Sequence, residues 1–420
     1  MLELLIGLPN VRVLLVSRDV GGVLVIEIET AEPVRFCGVC GMAGVVKDRP
    51  KLRYADLPAF GQQAVLVWHK YRWECPGGDP TWTEDRSDIA GRGGSAMTRR
   101  AAVWATVQIG RNVRPVAQIA TELGVAWNTV MDTVTTVASV MINDPDRIGK
   151  VCALGVDETV FQSAGRRRRR SFVSSVTDVE CRTVLDVFEG RQRVDLVEWF
   201  DTREQRWLDD IKIVVADLHE PFRAAFNECV PDATQVADSL HVVMAANRAV
   251  DKTRRRVQHE QQGHRGRAGE PLFGARKFLL LGAEKLDPQA MKRLDVMLAC
   301  GDPDGEVNEA WQTKEWVRDI YTLYGQPDLG AVWVDGIIHE CRESNVAEVR
   351  GLGRTLKQWR DPILAWHTTG ASNGPTEGLN SIIKKIKRVA AGFRNFAHYR
   401  TRILLAIGGC NWNLIGASPR

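Results

Sequence analysis

Val151-Cys-Ala-Leu-Gly-Val-Asp157 and Ile211-Lys-Ile-Val-Val-Ala-Asp217 decide how this chain is read. Each is a short, largely apolar run that ends on an acid. Such runs belong to strands buried on both faces of a sheet. Between them lie two more strand-like runs, residues 171–177 and 182–189, and a helical stretch beginning at Val194. Residues 221–229 read as another short helix. Ala233-Thr-Gln-Val-Ala-Asp238 then repeats the pattern of an apolar run closed by an acid, with His241 just beyond.

Three antiparallel strands, a helix and then further strands is the order of a ribonuclease H-like sheet. In that order the first strand and the strand after the helix are neighbours. Asp157 and Asp217 are therefore expected side by side, sharing a metal. A third carboxylate is expected from a later helix, and Gly374-Pro-Thr-Glu377-Gly-Leu-Asn-Ser-Ile-Ile-Lys-Lys-Ile-Lys opens one. Pro375 suits a first helical position and Glu377 falls in the first turn. Leu379, Ile382, Ile383 and Ile386 are expected to form its buried stripe. Hard carboxylate oxygens with positions left for water and phosphate suit Mg²⁺, or Mn²⁺ in its place. Two such ions would activate a water or a 3′-hydroxyl in phosphodiester attack. Glu158, Asp238 and His241 are candidate supporting or alternative ligands, and Asp238 is the main rival for the second position. A strand-end Asp is often only a turn residue, and a first-turn Glu often only offsets the helix dipole. The ordered set carries the reading, not any one acid.

Asp217 and Glu377 are 160 residues apart, too far for one strand and a connecting helix. Residues 250–368 read as helical, broken at Asp302-Pro-Asp-Gly and Gly325-Gln-Pro, so an α-helical insertion is expected there.

Upstream, residues 97–113 read as an amphipathic helix. After Pro115, the run from Val116 places Ala120 where two helices would cross and Gly124 at a left-handed turn. That is a helix-turn-helix pattern. It leaves Ala126, Trp127, Asn128 and Thr129 on the outer start of the second helix, where base edges are read. Further upstream, Cys37-Gly-Val-Cys40 and Cys75-Pro-Gly-Gly78 resemble the two knuckles of a thiolate Zn²⁺ site. Four ligands close such a site, and only three cysteines are present. Asp79 and His69 are candidate substitutes.

The chain has 420 residues, 56 Lys+Arg and 52 Asp+Glu, for a net charge of +4. The length suggests about two to three domains, and 44% hydrophobic residues exclude a disordered chain. The small net charge is unevenly spread. Residues 166–170, 244–277 and 381–402 together carry +18, which leaves −14 elsewhere. Basic faces on an acidic body suit a polyanion. Lys384, Lys385, Lys387 and Arg388 are the candidate contacts to a DNA backbone. No run is long and apolar enough for a membrane span, no secretory leader is recognisable, and nine cysteines argue against a disulfide framework. A cytoplasmic, nucleoid-associated protein is expected.

With these residues in place, the chain resembles bacterial insertion-sequence transposases of the Asp-Asp-Glu class, the ISL3 family. The resemblance runs through Cys37–Cys40 with Arg72-Trp-Glu-Cys75-Pro and Trp82-Thr-Glu84, the helix-turn-helix, Gly155-Val-Asp157-Glu158, Val214-Val-Ala-Asp217-Leu and Ala237-Asp238-Ser-Leu-His241-Val. It ends with Ser372-Asn373-Gly374-Pro375-Thr-Glu377-Gly378-Leu-Asn380, then Lys384, Lys387-Arg388 and Gly392-Phe-Arg-Asn395-Phe. The resemblance implies a catalytic triad of Asp157, Asp217 and Glu377 on divalent metal. It also implies cleavage at element ends, joining to target DNA, and action as a homodimer or larger assembly on double-stranded DNA. Gly78 departs from the family, where many relatives carry cysteine. Asp238-Ser-Leu-His241 stands where relatives often have Asp-x-Phe-His.

The expected fold is α/β and multi-domain. A zinc-finger-like segment (1–92) and a helix-turn-helix (93–146) precede a ribonuclease H-like catalytic domain (147–249), which is interrupted by the insertion (250–368) and completed by 369–420. A non-catalytic DNA-binding regulator descended from a transposase, and a ribonuclease H-like nuclease without strand transfer, are the alternative readings.

Overall fold

The computed structural model describes residues 6–78, 80–90, 96–165 and 169–416. Most of the arginine run at 166–170 and Asp79 lie outside these. The chain divides into two compact units, residues 1–149 with 381–420, and residues 150–380.

The first unit opens with strands β1 (Val11–Arg18), β2 (Leu24–Thr30), β3 (Val45–Asp48), β4 (Lys51–Ala59), β5 (Gln62–His69), β6 (Arg72–Glu74) and β7 (Trp82–Thr83). They form a four-stranded sheet in the order β1-β2-β5-β4 and a small sheet in the order β3-β6-β7. Alternation in β5 sends Ala64, Leu66 and Trp68 inward, where Ile26, Ile28, Tyr54 and Ile89 meet them. Three helices follow: α1 (Arg99–Gly110), α2 (Val116–Leu123) and α3 (Trp127–Ile142). Thr98 caps α1 by accepting from the Ala101 amide. Gly124, at φ +66°, makes the turn between α2 and α3.

The second unit is built on β8 (Ala153–Gln162), β9 (Ser171–Asp178), β10 (Thr183–Glu189), β11 (Ile213–Ala216) and β12 (Thr234–Ala237). Their order is β10-β9-β8-β11-β12. The first three pair antiparallel, whereas β11 lies parallel between β8 and β12. Strand β8 does not end at Asp157 as expected but runs on to Gln162. Helices α4 (Arg193–Asp201), α5 (Gln205–Asp209) and α6 (Glu220–Cys229) connect the strands.

The stretch expected as an insertion, 250–368, lies within a helical run that begins earlier, at Ser239. That run comprises α7 (Ser239–Gln262), α8 (Pro271–Leu280), α9 (Pro288–Gly301), α10 (Glu306–Asp319), α11 (Pro327–Glu343), α12 (Ala347–Gln358) and α13 (Arg360–Thr369). These helices share an apolar core that includes Val242, Val250, Leu294, Val317, Val334 and Leu356. Lys314, wholly buried, donates to the carbonyls of Leu279 and Leu281 at 2.8 and 2.6 Å and so ties α10 to the end of α8.

Two more helices complete the chain, α14 (Gly374–Val389) and α15 (Phe396–Ile407). The division between the units falls inside α14, so the expected catalytic stretch 369–420 is split between them. Ile382 corrects the expected stripe on α14: it is 38% exposed, while Leu379, Ile383 and Ile386 are buried.

Candidate functional site

Parallel pairing aligns Val156 with Ala216. The next residue on each strand is Asp157 or Asp217, so the two carboxylates are set on adjacent chains in the sheet. Burial, and then the Asp217 charge, push the Asp157 carboxyl up to about 6. Asp157 Oδ1 accepts from the Glu158 amide at 2.7 Å, and Oδ2 accepts from Asn380 Nδ2 at 2.5 Å.

Asp238 ends β12 and caps α7, accepting from the His241 amide. That cap places His241 one turn in, facing both acids. Its Nε2 lies 2.8 Å from Asp217 Oδ2 and its Nδ1 3.0 Å from Asp238 Oδ2. Burial opposes charge on this imidazole, but the hydrogen bonds and charges of Asp217 and Asp238 outweigh it and raise it to about 10. Two carboxylates against the ring favour its protonated form. Glu377 enters from the first turn of α14, with Oε1 3.9 Å from His241 Nδ1.

Asp157, Asp217, Asp238, His241 and Glu377 therefore gather at one end of the sheet. Asp217, Asp238 and His241 offer ligand atoms all within 4.8 Å of one another. Glu158 turns instead toward Arg191, at 3.5 Å. Its Oε2 and the Oδ1 of Asn373 are buried with no protein partner. Excess negative charge and orphaned oxygens are what a hard divalent cation satisfies, so the donor set fits Mg²⁺ or Mn²⁺.

Sequence reasoning missed two residues here. Asn373 donates from Nδ2 to Asp217 Oδ1 at 3.2 Å and from its backbone amide to Asp238 Oδ1 at 2.9 Å. Asn380 holds Asp157. Both belong to the Ser372–Asn380 block of the family resemblance, four residues before and three after Glu377, but nothing in that block marks what they hold.

The thiols also converge. Cys37, Cys40 and Cys75 lie within 4.8 Å of one another, and the Cys40 and Cys75 sulfurs are 3.3 Å apart. The Gly41 amide donates to the Cys37 carbonyl and the Gly78 amide to the Cys75 carbonyl, closing two tight knuckles. Amides of Cys40 and Val39 hold the Cys37 thiol below its usual range. His69 is engaged elsewhere, with Nε2 2.5 Å from Glu27. Three thiolates suit zinc.

On α3, Ala126, Trp127 and Asn128 are exposed and Thr129 is half-buried. The Trp127 ring packs 5.6 Å from His398 on α15, a contact that links this helix start to the far end of the sequence. Lys384, Lys385 and Arg388 are exposed on α14, and Lys387 is half-buried.

A family profile described as "Transposase", that of the ISL3 elements, matches residues 154–403, more than half of the chain. The chain belongs to the ISL3 family of transposases. A second profile, a zinc-finger of transposase IS204/IS1001/IS1096/IS1165, matches residues 33–78. The transposase for insertion sequence element IS1001 of Bordetella parapertussis is 27% identical over 403 residues, which is 93% of each chain. The transposase for element IS1557 of Mycobacterium tuberculosis is 25% identical over 391 residues, 86% of this chain and 83% of the relative. A solved Drosophila P element transposase strand transfer complex aligns at TM-score 0.37 and 12% identity, over 75% of this chain and 92% of that one, too weak a likeness to carry an argument. This transposase is thus a mixed α/β protein with a transposase domain and a zinc ribbon. It is a DNA-binding, DNA-cleaving and strand-transferring enzyme that acts in DNA transposition. Among its described residues no helix is long and apolar enough to cross a membrane.

Proposed function

We propose that this transposase works by an Asp-Asp-Glu mechanism in which Asp157, Asp217 and Glu377 hold Mg²⁺ or Mn²⁺ on a ribonuclease H-like sheet. The observation that carries this is the placement of two acids one residue past aligned positions of neighbouring parallel strands, with a third carboxylate on the helix that docks beside them. The ions would supply polarisation of the phosphoryl oxygens and stabilisation of the leaving oxygen. The protein's own contribution is to hold the acids close and partly dry against their mutual repulsion. Attack is first by water at the element end, then by the freed 3′-hydroxyl on the target. No covalent protein–DNA link is required.

In the same reading α2 and α3 act as a helix-turn-helix. Ala126, Trp127, Asn128 and Thr129 meet base edges, and Lys384, Lys385, Lys387 and Arg388 meet the phosphate backbone. Cys37, Cys40 and Cys75 hold Zn²⁺ with a fourth ligand from water or from Asp79. The segments 1–92, 93–146, 147–249, 250–368 and 369–420 serve as zinc-finger-like, helix-turn-helix, first catalytic, insertion and second catalytic parts. Synapsis of two ends calls for at least a homodimer on DNA.

A second donor set is tested alongside because its ligand atoms all lie within 4.8 Å of one another: Asp217, Asp238 and His241. It would require His241 to give up its proton. In it Asp238 accepts from His241 and from the Asn373 amide, as Asp157 in the triad accepts from Asn380 and from the Glu158 amide. Incubation of the purified protein with end-bearing DNA and Mg²⁺ or Mn²⁺ tests the proposal. Asp217→Asn is expected to abolish cleavage, and wild-type activity in that variant would overturn the triad.

A further inference from the structure

Residues 373–380 do more than deliver Glu377. Both asparagines in this segment are buried, Asn373 at 0% and Asn380 at 1% exposure. A buried amide must find partners, and these two find carboxylates. Asn380 is three residues after Glu377 on α14, which puts both on one face of the helix. Its Nδ2 donates to Asp157 Oδ2 at 2.5 Å while its Oδ1 accepts from Ser175 Oγ at 3.0 Å. Ser175 is the residue opposite Asp157 in the β8–β9 register. The amide is therefore fixed at both ends and cannot rotate without breaking a bond. Asn373 mirrors it on the other side of Glu377, donating to Asp217 at 3.2 Å.

The amide is the chemistry this place needs. A hydrogen bond to an ionised acceptor is about twice as strong as a neutral one. An amide also adds no charge to a site already crowded with acids. The docking is close because β8 has no side chain at Gly155. A Cβ there would collide with the hydroxyls of Thr376 and Thr177, which bond to each other at 2.7 Å across the same seam.

We propose that Asn380 and Asn373 are positioning residues that fix the orientation of Asp157 and Asp217 for a divalent cation, with Asn380 the more important. The inference rests on the carboxylate reading proposed above. It makes α14 a single device: it brings in one acid and orients the first of the other two, while the residue just before it orients the second.

The test is Mn²⁺ affinity of the full chain without DNA, read from free Mn²⁺ by electron paramagnetic resonance. Supporting hydrogen bonds to metal ligands are worth about 10–100-fold in affinity. Asn380→Ala is expected to weaken Mn²⁺ binding about tenfold or more, and Ser175→Ala, which frees one end of the amide, about two- to fivefold. Thr177→Val breaks a hydrogen bond in the same seam without touching a carboxylate. It is expected to lower the melting temperature and leave Mn²⁺ affinity within about twofold of wild type. Should Asn380→Ala fail to fold, Ser175→Ala against Thr177→Val decides alone. Unchanged affinity in both Asn380→Ala and Ser175→Ala would overturn the inference, as would an equal loss in Thr177→Val. Asp157→Asn separates the two levels. If it too leaves Mn²⁺ affinity unchanged, the carboxylate reading fails; if it abolishes binding while Asn380→Ala does not, only the positioning role fails.

Discussion

The carboxylate cluster and the thiolate cluster are both candidate metal sites, built on opposite plans. Asp157, Asp217 and Asp238 are each held by an amide donor from the segment 373–380, and His241 stands among them. That site is assembled by the fold and keeps its shape from hydrogen bonds to the sheet. The thiolate site is framed by its two knuckle turns and gathers three sulfurs, two of them 3.3 Å apart. The difference teaches where the metal belongs in each energy balance. On the proposed reading, the metal in the first is a working part received by a prepared frame, and in the second it would itself be the fastener.

The largest effect that could break this contrast lies in catalysis. Asp217→Asn should reduce cleavage of end-bearing DNA by about three orders of magnitude, the scale of several kcal/mol of charge stabilisation. Asp238→Asn can keep the helix cap through its one oxygen but loses the charge and the acceptor for the Asn373 amide, so a loss of about 10–100-fold is expected. Because Asp217 belongs to both donor sets, a larger loss in Asp238→Asn than in Asp157→Asn in a nicking assay would move the metal to the Asp217, Asp238 and His241 set.

Next is the fastener. Metal analysis of reduced protein should find about one zinc per chain, lost in Cys40→Ser. The loss should bring protease sensitivity within residues 33–78 while Mn²⁺ affinity at the carboxylates is kept. A zinc-free wild type that is equally protease-resistant would remove the fastener from the comparison.

A smaller effect concerns the basic stretches, and here the sequence was only half legible. Residues 244–277 read as a basic face, yet Arg254 and Arg255 pair with Asp251 at 2.8 and 2.7 Å, and Arg256 pairs with Glu260, Glu306 and Glu348. Glu306 and Glu348 lie about 50 and 90 residues downstream, so no local pattern could announce them. Lys384 and Lys385 on α14 are exposed. Replacing both by alanine should lower DNA affinity and reduce the slope of log affinity against log salt by about 2. Arg256→Ala should instead leave DNA affinity alone and lower stability by roughly 1 kcal/mol or more.

The same limit explains the rest of what the sequence did and did not disclose. Strands β8 and β11 were legible because burial on both faces leaves an apolar run whatever the tertiary partners, whereas β9 buries Ser174, Ser175, Thr177 and Asp178 among its apolar residues. Asp238 was legible as an acid closing an apolar run, but its capping of α7 was not. Asn373 and Asn380 were not, because an amide has no periodicity and its meaning lies in what it faces. Nor was the grouping of residues 381–420 with the first 149. It rests on contacts such as Trp127 with His398 and Arg402 with the Arg114 carbonyl, the latter 288 positions apart.

The finest test is one of sign. Removing a ligand from a fastener destabilises, so Cys40→Ser should lower the melting temperature of zinc-loaded protein. Removing a ligand from a prepared frame should do the reverse in the absence of metal. Burial and the neighbouring Asp217 raise the folded-state Asp157 carboxyl from 3.8 to about 6. Below pH 4 the group is protonated whether the chain is folded or not, and it contributes no difference. Between pH 4 and 6 the unfolded chain ionises it while the folded chain does not, so stability falls as pH rises through that window. Above pH 6 the loss is complete, on the order of 1–3 kcal/mol. Asp157→Asn removes the titration and can still accept from Asn380, but it loses the bond from the Glu158 amide, about 1 kcal/mol set against the gain. The metal-free variant should therefore be more stable than metal-free wild type at pH 7, and the gain should vanish near pH 4. A melting temperature at pH 7 that falls on this substitution would mean that Asp157 fastens the fold as the cysteines do, and the two sites would no longer differ in kind.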